Sequence, residues 1–230
     1  MFLNREDGAQ HLAKLLVGRS LCDPIILAIP RGGIVIGAVL ARELHAELDV
    51  ILARKLRCPG HPELALGAVS ETGAVYLNPS ADDILVERQD YLASERQHQL
   101  EEIARRQCVF RDVRPAASLA GRSVIVTDDG VATGATMISA LQSVRTQHPR
   151  ELIVAVPVAS KEAARELSRW ADEVLCVLFA EHLYSVGQFY VDCEPVEDEV
   201  AVQLLRRALR SRDSAQVPVH SDAPGAAPET

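Results

Sequence analysis

The chain of 230 residues lacks an apolar run long enough to cross a membrane as a helix. Such a helix needs about 18 consecutive apolar residues, but the two longest runs, residues 24–30 and 32–41, are separated by Arg31. The first residues also show no basic stretch followed by an apolar one, so we expect no signal peptide. These absences lead us to expect a cytoplasmic protein with no membrane partner.

Paired cysteines and an excess of positive charge are absent as well. The five cysteines are scattered without a C-x-x-C pair, so we expect free thiols rather than a disulfide framework or a zinc site. The 24 Lys and Arg residues against 32 Asp and Glu residues give a net charge of -8. This balance argues against a nucleic-acid partner, which requires a basic surface, but it permits a small phosphorylated ligand held by a few well-placed groups.

Short β-branched runs alternate along the chain with longer amphipathic segments. We predict strands at residues 25–29, 50–53, 123–127, 152–158 and 173–178. We predict helices at about residues 136–146 and 161–170, and a further helix that follows a turn at Gly32-Gly33 and runs through Leu44. An alternation of this kind is typical of an α/β fold in which helices cover both faces of a parallel sheet.

Two further segments interrupt or follow that alternation. Residues 67–69 and 75–77 are predicted to form a β-hairpin, and a helix from Ser80 to about Gln107 follows it. An apolar stripe on this helix (Ile84, Leu92, Leu100 and Ile103) indicates packing across a sheet edge or at a dimer contact. Residues 211–230 contain three prolines and no aromatic residue, so we expect one domain over residues 1–210 and a disordered tail.

The segment with the most specific pattern is an apolar strand that ends at Asp128 and Asp129. A turn rich in glycine and threonine then opens a helix, and the amide groups at such a helix start bind anions. Thr133 and Thr136 can add hydroxyl donors, and Gly134 allows close approach of the backbone. Two carboxylates beside a phosphate site are useful if they accept hydrogen bonds from sugar hydroxyls, or if a divalent cation neutralises them.

Residues 128–136 resemble the binding motif for phosphoribosyl pyrophosphate (PRPP) of the type I phosphoribosyltransferases. The resemblance implies the type I phosphoribosyltransferase fold, with a parallel sheet flanked by helices, a small hood, and the hairpin and helix as an insertion. It further implies that Asp128 and Asp129 hold the ribose 2- and 3-hydroxyls. The residues implied in binding the 5-phosphate are Gly130, Val131, Ala132, Thr133, Gly134, Ala135 and Thr136.

A second phosphate site is predicted at Arg31-Gly32-Gly33, where the first strand turns into a helix. The glycines let amide groups face a diphosphate, and Arg31 supplies a guanidinium. The turn is similar to the one that opens the pyrophosphate loop of this superfamily, and residues 29–44 look like the same stretch of xanthine-guanine enzymes. The chain has neither a Gly-Lys-Ser/Thr sequence nor a G-x-G-x-x-G sequence here, which excludes a P-loop or Rossmann site.

Residues 54–63 begin with Arg54 and Lys55 and continue through proline and glycine, which indicates a mobile loop with a positive base. The segment resembles the flexible loop of adenine and orotate phosphoribosyltransferases. That resemblance implies that Arg54 and Lys55 contact pyrophosphate and that the loop closes to exclude water from the reacting centre. The alternative is a solvated basic turn.

Residues 182–192 concentrate aromatic side chains in a chain that is only 4% aromatic. The segment looks like the part of hypoxanthine-guanine enzymes in which an aromatic ring stacks on the purine. On that match Tyr184 stacks on the base, Ser185 offers backbone hydrogen bonds, and Asp192 lies one residue later than the acidic residue of the family. Alternatively, Phe189 and Tyr190 pack the domain edge.

One position departs from the hypoxanthine-type pattern. Those enzymes carry an aspartate as a candidate base where this chain has Ala132, as adenine- and orotate-type motifs do. Proton transfer must then involve another group, and the candidates are Glu63, Glu71 and Asp192.

The resemblance implies a homodimeric enzyme that transfers the 5-phosphoribosyl group from PRPP to a nitrogen nucleophile, a nucleobase, and releases pyrophosphate. Magnesium would bridge pyrophosphate and ribose oxygens without a certain protein ligand. The loss of a carboxylate at Ala132 also favours a second hypothesis, a non-catalytic protein of the same fold that senses PRPP or a nucleotide.

Overall fold

The computed structural model describes residues 1–58, 61–78 and 89–215, without the side chains of residues 61–64, 89 and 212–215. The strands are β1 Ile25–Ala28, β2 Glu47–Val50, β3 Ala53–Cys58, β4 His61–Ser70, β5 Val75–Leu77, β6 Ser123–Thr127, β7 Glu151–Ser160 and β8 Glu173–Ala180. The α-helices are α1 Arg5–Ala13, α2 Gly32–Glu43, α3 Gln89–Arg111, α4 Ala135–Arg145, α5 Lys161–Leu167 and α6 Asp198–Ala215. A 3₁₀ helix spans Val186–Phe189.

Five strands form a parallel sheet in the order β2-β1-β6-β7-β8. Successive side chains of a strand point to opposite faces, and β1 divides accordingly: Ile26 and Ala28 join the apolar cluster that includes α1, α2 and α6. Ile25 and Leu27 join the cluster that includes α4 and α5. The predicted α/β fold with helices on both faces is therefore confirmed.

The predicted strand at residues 50–53 is wrong, because these residues cover the junction between two sheets. The parallel strand β2 ends at Val50, and the antiparallel strand β3 begins at Ala53, which pairs with Ser70. Between them the amide group of Leu52 donates to the Glu71 carboxylate at 3.2 Å. All four residues are apolar, so the sequence alone does not reveal the change of pairing partner.

The predicted hairpin is confirmed, and it is part of a larger three-stranded antiparallel sheet, β3-β4-β5. Gly67 pairs with Leu77 and Val69 pairs with Val75. The predicted loop at residues 54–63 is wrong for its described part, because β3 and β4 are paired strands as far as Cys58 and His61. Residues 59 and 60, at the turn, lie outside the described residues.

Helix α3 packs against β3 and β4, which agrees with the predicted packing on a sheet. Ile103 is fully buried, and Leu92 and Leu100 pack against the same core. The helix ends at Arg111 rather than at the predicted Gln107, because Arg111 bonds to Asp49 at 2.7 Å and Phe110 is buried. The predicted start at Ser80, with Ile84, lies outside the described residues, and the dimer contact stays a prediction.

Two helices at the ends of the chain complete the fold and were not predicted from the sequence. Helix α1 packs on α2 and β7, and α6 packs on α2 and β2. Helix α6 continues to Ala215, so the predicted domain boundary at residue 210 falls inside it. The disordered tail stays a prediction, because residues 216–230 lie outside the described residues. Within the described ranges no helix combines the length and apolarity that crossing a membrane requires.

Candidate active site

Strands β1 and β6 are neighbours in the parallel sheet, but the chain leaves them in opposite directions. It passes from β1 to β2 on one side, and from β6 to β7 on the other. In open α/β sheets, ligands bind at such a switch point, beyond the carboxyl ends of the strands. The two segments that follow these strands are the predicted pyrophosphate turn (residues 31–33) and the predicted PRPP motif (residues 128–136).

A cavity of about 190 Å³ lies at this point and is lined by Lys55, residues 128–137 and Val186. The cavity therefore brings together both adjacent aspartates, the whole glycine- and threonine-rich turn and one of the two predicted basic residues. Thr133 is exposed, whereas Gly134 and Ala135 are buried. The turn presents its backbone as well as its hydroxyl groups to the cavity.

The turn ends at the start of α4, where Gly134 occupies the position before the first helical residue. Gly134 has φ +85° and ψ −13°, a left-handed conformation that other residues adopt only with strain. No side chain caps this helix end, so the first amide groups of α4 remain available to an anion. Thr133 therefore does not cap this helix.

Hydrogen bonds between this turn and the last residues of β7 hold the backbone of the turn in place. The amide group of Val131 donates to the Val158 carbonyl and that of Ser160 to the Val131 carbonyl, both at 2.9 Å. The Ser160 hydroxyl also donates to the Ala132 carbonyl at 2.7 Å. Ala132 thus belongs to a backbone cradle rather than to a titrating site.

The pyrophosphate turn lies directly against the two aspartates. A Cβ atom at Gly32 would come within 2.1 Å of Asp129 Oδ2, and one at Gly33 within 2.9 Å of Asp128 Cα. Both glycines are therefore required by close packing, in addition to any contact with a diphosphate. Arg31, which follows a cis peptide bond, pairs with Glu197 at 3.0 Å and is not among the residues that line the cavity.

Asp128 and Asp129 experience different electrostatic environments. Burial raises the pKa of Asp128, the negative charge of Asp129 raises it further, and Lys55 opposes the shift. Asp128 Oδ1 accepts a hydrogen bond from the Asp129 amide group at 2.8 Å. Two carboxylates this close together favour protonation of one of them unless a cation or a hydrogen-bond donor compensates.

Two residues that sequence reasoning missed contact Asp129. Arg5 Nε donates to Asp129 Oδ2 at 2.8 Å, and the Tyr190 hydroxyl donates to the Asp129 carbonyl at 2.6 Å. Burial raises the pKa of Tyr190, and the charge of Asp129 raises it further. Arg5 lies 124 residues from Asp129 in the chain, and no local pattern around it signals a site.

Tyr190 belongs to a small hood formed by residues 1–4 and 186–194. Phe2 and Tyr190 form a parallel bridge, and their rings lie 5.6 Å apart, centroid to centroid. The Val191 amide group donates to the Phe2 carbonyl at 2.9 Å. The alternative reading of Tyr190 as a packing residue is thus correct, although its hydroxyl also reaches the site.

Of the two predicted basic residues, Lys55 lines the cavity and Arg54 does not. Successive side chains of β3 point to opposite faces, so Arg54 and Lys55 point in opposite directions. Lys55 is exposed, whereas Arg54 is half-buried and donates to Gln99 on α3 at 2.5 Å. Burial lowers the pKa of Arg54, and nearby Arg106 lowers it further. In this structure Arg54 therefore faces α3 rather than the cavity, and its role in binding pyrophosphate is untested.

The predicted base-binding residues do not converge in this structure. Tyr184 is 87% exposed and stacks on His182 with 6.4 Å between ring centroids. Ser185 precedes the 3₁₀ helix, whose first residue, Val186, lines the cavity. Asp192 accepts a hydrogen bond from the Glu194 amide group at 3.3 Å and lines a different, shallower cavity beside Arg5. Their role in base binding stays a prediction.

The candidates for proton transfer are also dispersed. Glu71 lies at the junction of the two sheets, where burial raises its pKa while Arg111 opposes the shift. It is not among the cavity-lining residues, and neither is Asp192, while the side chain of Glu63 lies outside the described residues. Among the described side chains, neither Glu71 nor Asp192 therefore takes the place of the carboxylate that is missing at Ala132.

The carboxylates at this site match the oxygen donors that magnesium prefers. In the described part of the chain, however, no three His, Cys, Asp or Glu side chains are grouped as a metal site would require. Two adjacent aspartates, one of them paired with Arg5, are compatible with a magnesium ion that arrives on the phosphates of a ligand rather than one held by the protein alone.

The chain belongs to the phosphoribosyl transferase domain family, whose model matches residues 2–194. This range includes both predicted phosphate turns, both aspartates and the antiparallel sheet. The sequence of TT1426 from Thermus thermophilus is 42% identical to this chain. Its crystal structure superposes on this one with a TM-score of 0.75, and the match covers 90% of this chain and 98% of TT1426.

Two relatives from Mycobacterium tuberculosis, MT0597 and Rv0571c, provisionally carry the name phosphoribosyl transferase. Each is 37% identical to this chain over 216 residues, which cover 91% of this chain but only 47% of the relative. The chain thus spans about half the length of these two relatives.

Proposed function

We propose that this chain catalyses the magnesium-dependent transfer of the 5-phosphoribosyl group from PRPP to a nucleobase, whose nitrogen is the nucleophile, with release of pyrophosphate. The observation that carries the proposal is a single cavity. It joins the Asp128-Asp129 pair, a glycine-rich turn at an uncapped helix start, and Lys55. This combination suits a ligand that bears both phosphates and vicinal hydroxyls.

In this proposal, each group binds a different part of PRPP. The amide groups of residues 130–136 and the hydroxyls of Thr133 and Thr136 hold the 5-phosphate at the positive end of α4. The carboxylates of Asp128 and Asp129 accept hydrogen bonds from the ribose hydroxyls. The turn at Gly32 and Gly33 and the ammonium group of Lys55 lie near the pyrophosphate.

The reaction breaks the bond between ribose C1 and a pyrophosphate oxygen and forms a bond between C1 and the nucleophilic nitrogen. The developing positive charge at C1 lies near two carboxylates, and the departing negative charge lies near Lys55, so electrostatics and positioning supply most of the acceleration. Bound magnesium would stabilise the pyrophosphate leaving group. The nitrogen loses its proton to solvent or to a group other than residue 132.

Three further properties belong to this proposal. The enzyme acts as a homodimer, it requires no nucleic acid or membrane, and it acts in the cytoplasm. The five cysteines are scattered along the sequence without a C-x-x-C pair, which supports a reducing compartment. The formal charge of -8 supports the absence of a nucleic-acid partner.

A second candidate is a non-catalytic protein that senses PRPP or a nucleotide with the same cavity. The observation that favours it is Ala132, whose carbonyl accepts a hydrogen bond from Ser160 and whose side chain offers no acid or base. Binding of PRPP without release of pyrophosphate in the presence of any acceptor would support this candidate.

The decisive experiment measures pyrophosphate release from PRPP and magnesium across a panel of purine and pyrimidine bases. We expect release with at least one base, and a loss of about 10³-fold or more in the Asp128→Asn/Asp129→Asn variant, because both carboxylates interact with the charge that develops at C1. Circular dichroism of the variant checks that the fold is intact. Undiminished release by a folded variant would contradict the roles of the two aspartates.

A further inference from the structure

Arg5 reaches the candidate site from the first turn of α1, far from any of the motifs that predicted that site. Its side chain and that of Asp129 are both largely buried, with 14% and 17% of their surfaces exposed. Arg5 Nε donates to Asp129 Oδ2, while Arg5 Nη1 donates to the Glu194 carbonyl at 2.7 Å. The guanidinium is thus held at two points, in a geometry that a lysine ammonium cannot reproduce.

The backbone that carries Arg5 is itself fixed. Asn4 caps α1 by accepting a hydrogen bond from the Asp7 amide group at 2.9 Å. Gly8 allows the helix to approach β7 and the hood, since a Cβ atom there would lie 3.2 Å from Pro157 and 3.3 Å from Tyr190. Leu12 and Leu16 are fully buried on the same side. Arg5 therefore presents its guanidinium from a rigid support.

The contact of Arg5 engages only one oxygen of the Asp129 carboxylate. Oδ2 receives the guanidinium and faces Gly32, where even a Cβ atom would come within 2.1 Å. A carboxylate has acceptor capacity on both of its oxygens, so Oδ1 is the one that Arg5 leaves for a ligand in the cavity that Asp129 lines, once the ligand replaces the contact between the Asp129 and Asp128 side chains. Arg5 and Gly32, which both face Oδ2, therefore set the orientation of the Asp129 carboxylate.

Arg5 also supplies charge where two carboxylates are adjacent. The charge of Lys55, on the antiparallel sheet, opposes the rise in the pKa of Asp128. Arg5, on helix α1, pairs with Asp129. A buried carboxylate that loses its partner is destabilised and moves. In its new orientation it becomes a poorer acceptor for a ligand hydroxyl.

We propose that Arg5 is a positioning residue that orients Asp129, so that Asp129 Oδ1 accepts a hydrogen bond from a ring hydroxyl of the phosphorylated sugar. The inference deepens the proposed function and rests on it. It assigns to the N-terminal helix a part in recognising vicinal hydroxyls, without any direct contact between Arg5 and the ligand.

The test compares two phosphate monoesters that differ only in the hydroxyls at ring carbons 2 and 3. These are 1,4-anhydroribitol 5-phosphate and tetrahydrofurfuryl phosphate, whose binding is measured by NMR titration or by competition with PRPP. Because both carry the same charge, the ratio of their dissociation constants isolates recognition of the hydroxyls from general electrostatics and from loss of stability. We expect the wild-type protein to prefer the hydroxylated ligand by about tenfold or more.

In the Arg5→Gln variant we expect this preference to fall to about twofold, with a smaller change in affinity for tetrahydrofurfuryl phosphate. Arg5→Lys should retain an intermediate preference, because it keeps the charge but loses the second anchor. It also serves as the informative variant if Arg5→Gln does not fold. Arg19→Gln, which removes a pair with Glu173 at the amino edge of the sheet, is the control and should keep the full preference.

The outcomes distinguish this inference from the proposed function. If the preference is lost in Asp129→Asn but retained in both Arg5 variants, or if it increases in Arg5→Gln, the inference is overturned while the proposed function stands. If the wild-type protein binds neither monoester nor PRPP, or binds both monoesters equally, the ribose assignment and the inference fail together.

Discussion

The five-stranded parallel sheet and the three-stranded antiparallel sheet both border the cavity, but they contribute different groups to it. The parallel sheet supplies backbone amides and the Asp128-Asp129 pair, against which Gly32 and Gly33 pack so closely that neither glycine has room for a Cβ atom. The antiparallel sheet supplies one exposed lysine side chain. The difference indicates that the parallel sheet sets the geometry of the site and the antiparallel sheet adds a positive charge to it.

Helix α4 links the two regions. Its first residues form the phosphate end of the cavity, and its later residues hold the antiparallel sheet. Ser139 donates to the Ala74 carbonyl at 3.2 Å, and the hydroxyls of Thr72 and Ser143 lie 2.8 Å apart. The position of Lys55 relative to the phosphate turn is therefore determined by packing along one helix.

Among single substitutions, the largest effect is expected from a change on the parallel side. In Gly32→Ala, the added Cβ atom would lie only 2.1 Å from Asp129 Oδ2, and Arg5 holds that oxygen in place. Displacement of a ligand-binding group by about 1 Å can cost about 10²-fold in rate, so we expect a loss of this order in turnover or PRPP affinity. Calorimetry and thermal unfolding of the same sample measure both effects. If the loss of stability fully accounts for the fall in PRPP affinity, the result would contradict a geometric role for this turn.

A smaller effect is expected on the antiparallel side. Lys55→Ala removes the cation that faces Asp128, and the loss of one charged contact corresponds to about 10- to 10²-fold in PRPP binding. Arg54→Ala is the matched control on the same strand. Because Arg54 bonds to Gln99, its removal should lower the unfolding temperature and leave PRPP affinity within about threefold. Equal losses of affinity in the two variants would contradict the separation of the two side chains by strand alternation.

The exposed ring of Tyr184 gives a third comparison, between the phosphate side and the acceptor side of the site. If this ring stacks on the acceptor base, Tyr184→Ala should raise the KM for the base by about tenfold and leave PRPP affinity unchanged. The ring is 87% exposed, so the unfolding temperature should not change. An unchanged KM would remove Tyr184 from the acceptor site and leave Val186 as the nearest described candidate.

The smallest expected effect concerns stability, and it has the opposite sign. Burial and the charge of Asp129 raise the pKa of Asp128. The ionised form therefore destabilises the fold, and this cost grows as the pH rises through the raised pKa. Asp128→Asn removes it, so at pH 7 and without ligand we expect the unfolding temperature to rise by about 2–4 °C. The gain should shrink at lower pH.

Asp129→Asn is the control for that measurement, because it breaks the pair with Arg5 and should lower the unfolding temperature. Scanning calorimetry at pH 7 and pH 5 compares the three proteins. A lower unfolding temperature for Asp128→Asn than for the wild-type protein at pH 7 would show that Asp128 stabilises the ligand-free fold.

The parts of the structure that sequence reasoning predicted well depend on local order along the chain. Strand β6 was predicted residue for residue, because an apolar run that ends at two aspartates and a glycine defines its own boundary. The hairpin around Gly73 has a similar local signal, whereas the helix that was predicted to follow the Gly32-Gly33 turn begins at Gly32 itself. In each case the strand, the turn and the next element are adjacent in the sequence.

The parts that were missed depend on contacts between distant segments. The junction at residues 50–53 is apolar throughout, so only the pairing of Ala53 with Ser70 reveals it. Arg5 is recognised only after α1 packs beside the hood. One signal was present in the sequence: Leu56 and Cys58 alternate with Lys55 and Arg57, and that alternation predicts a strand with Arg54 and Lys55 on opposite faces.

The most direct test of the account is calorimetric titration of the wild-type protein and the Asp128→Asn/Asp129→Asn variant with PRPP in the presence of magnesium. We expect saturable binding of one PRPP per chain by the wild-type protein and a loss of about 10²-fold or more in the variant. The absence of PRPP binding by the wild-type protein, or equal binding by a folded variant, would contradict the central claim that this cavity recognises PRPP through its paired aspartates.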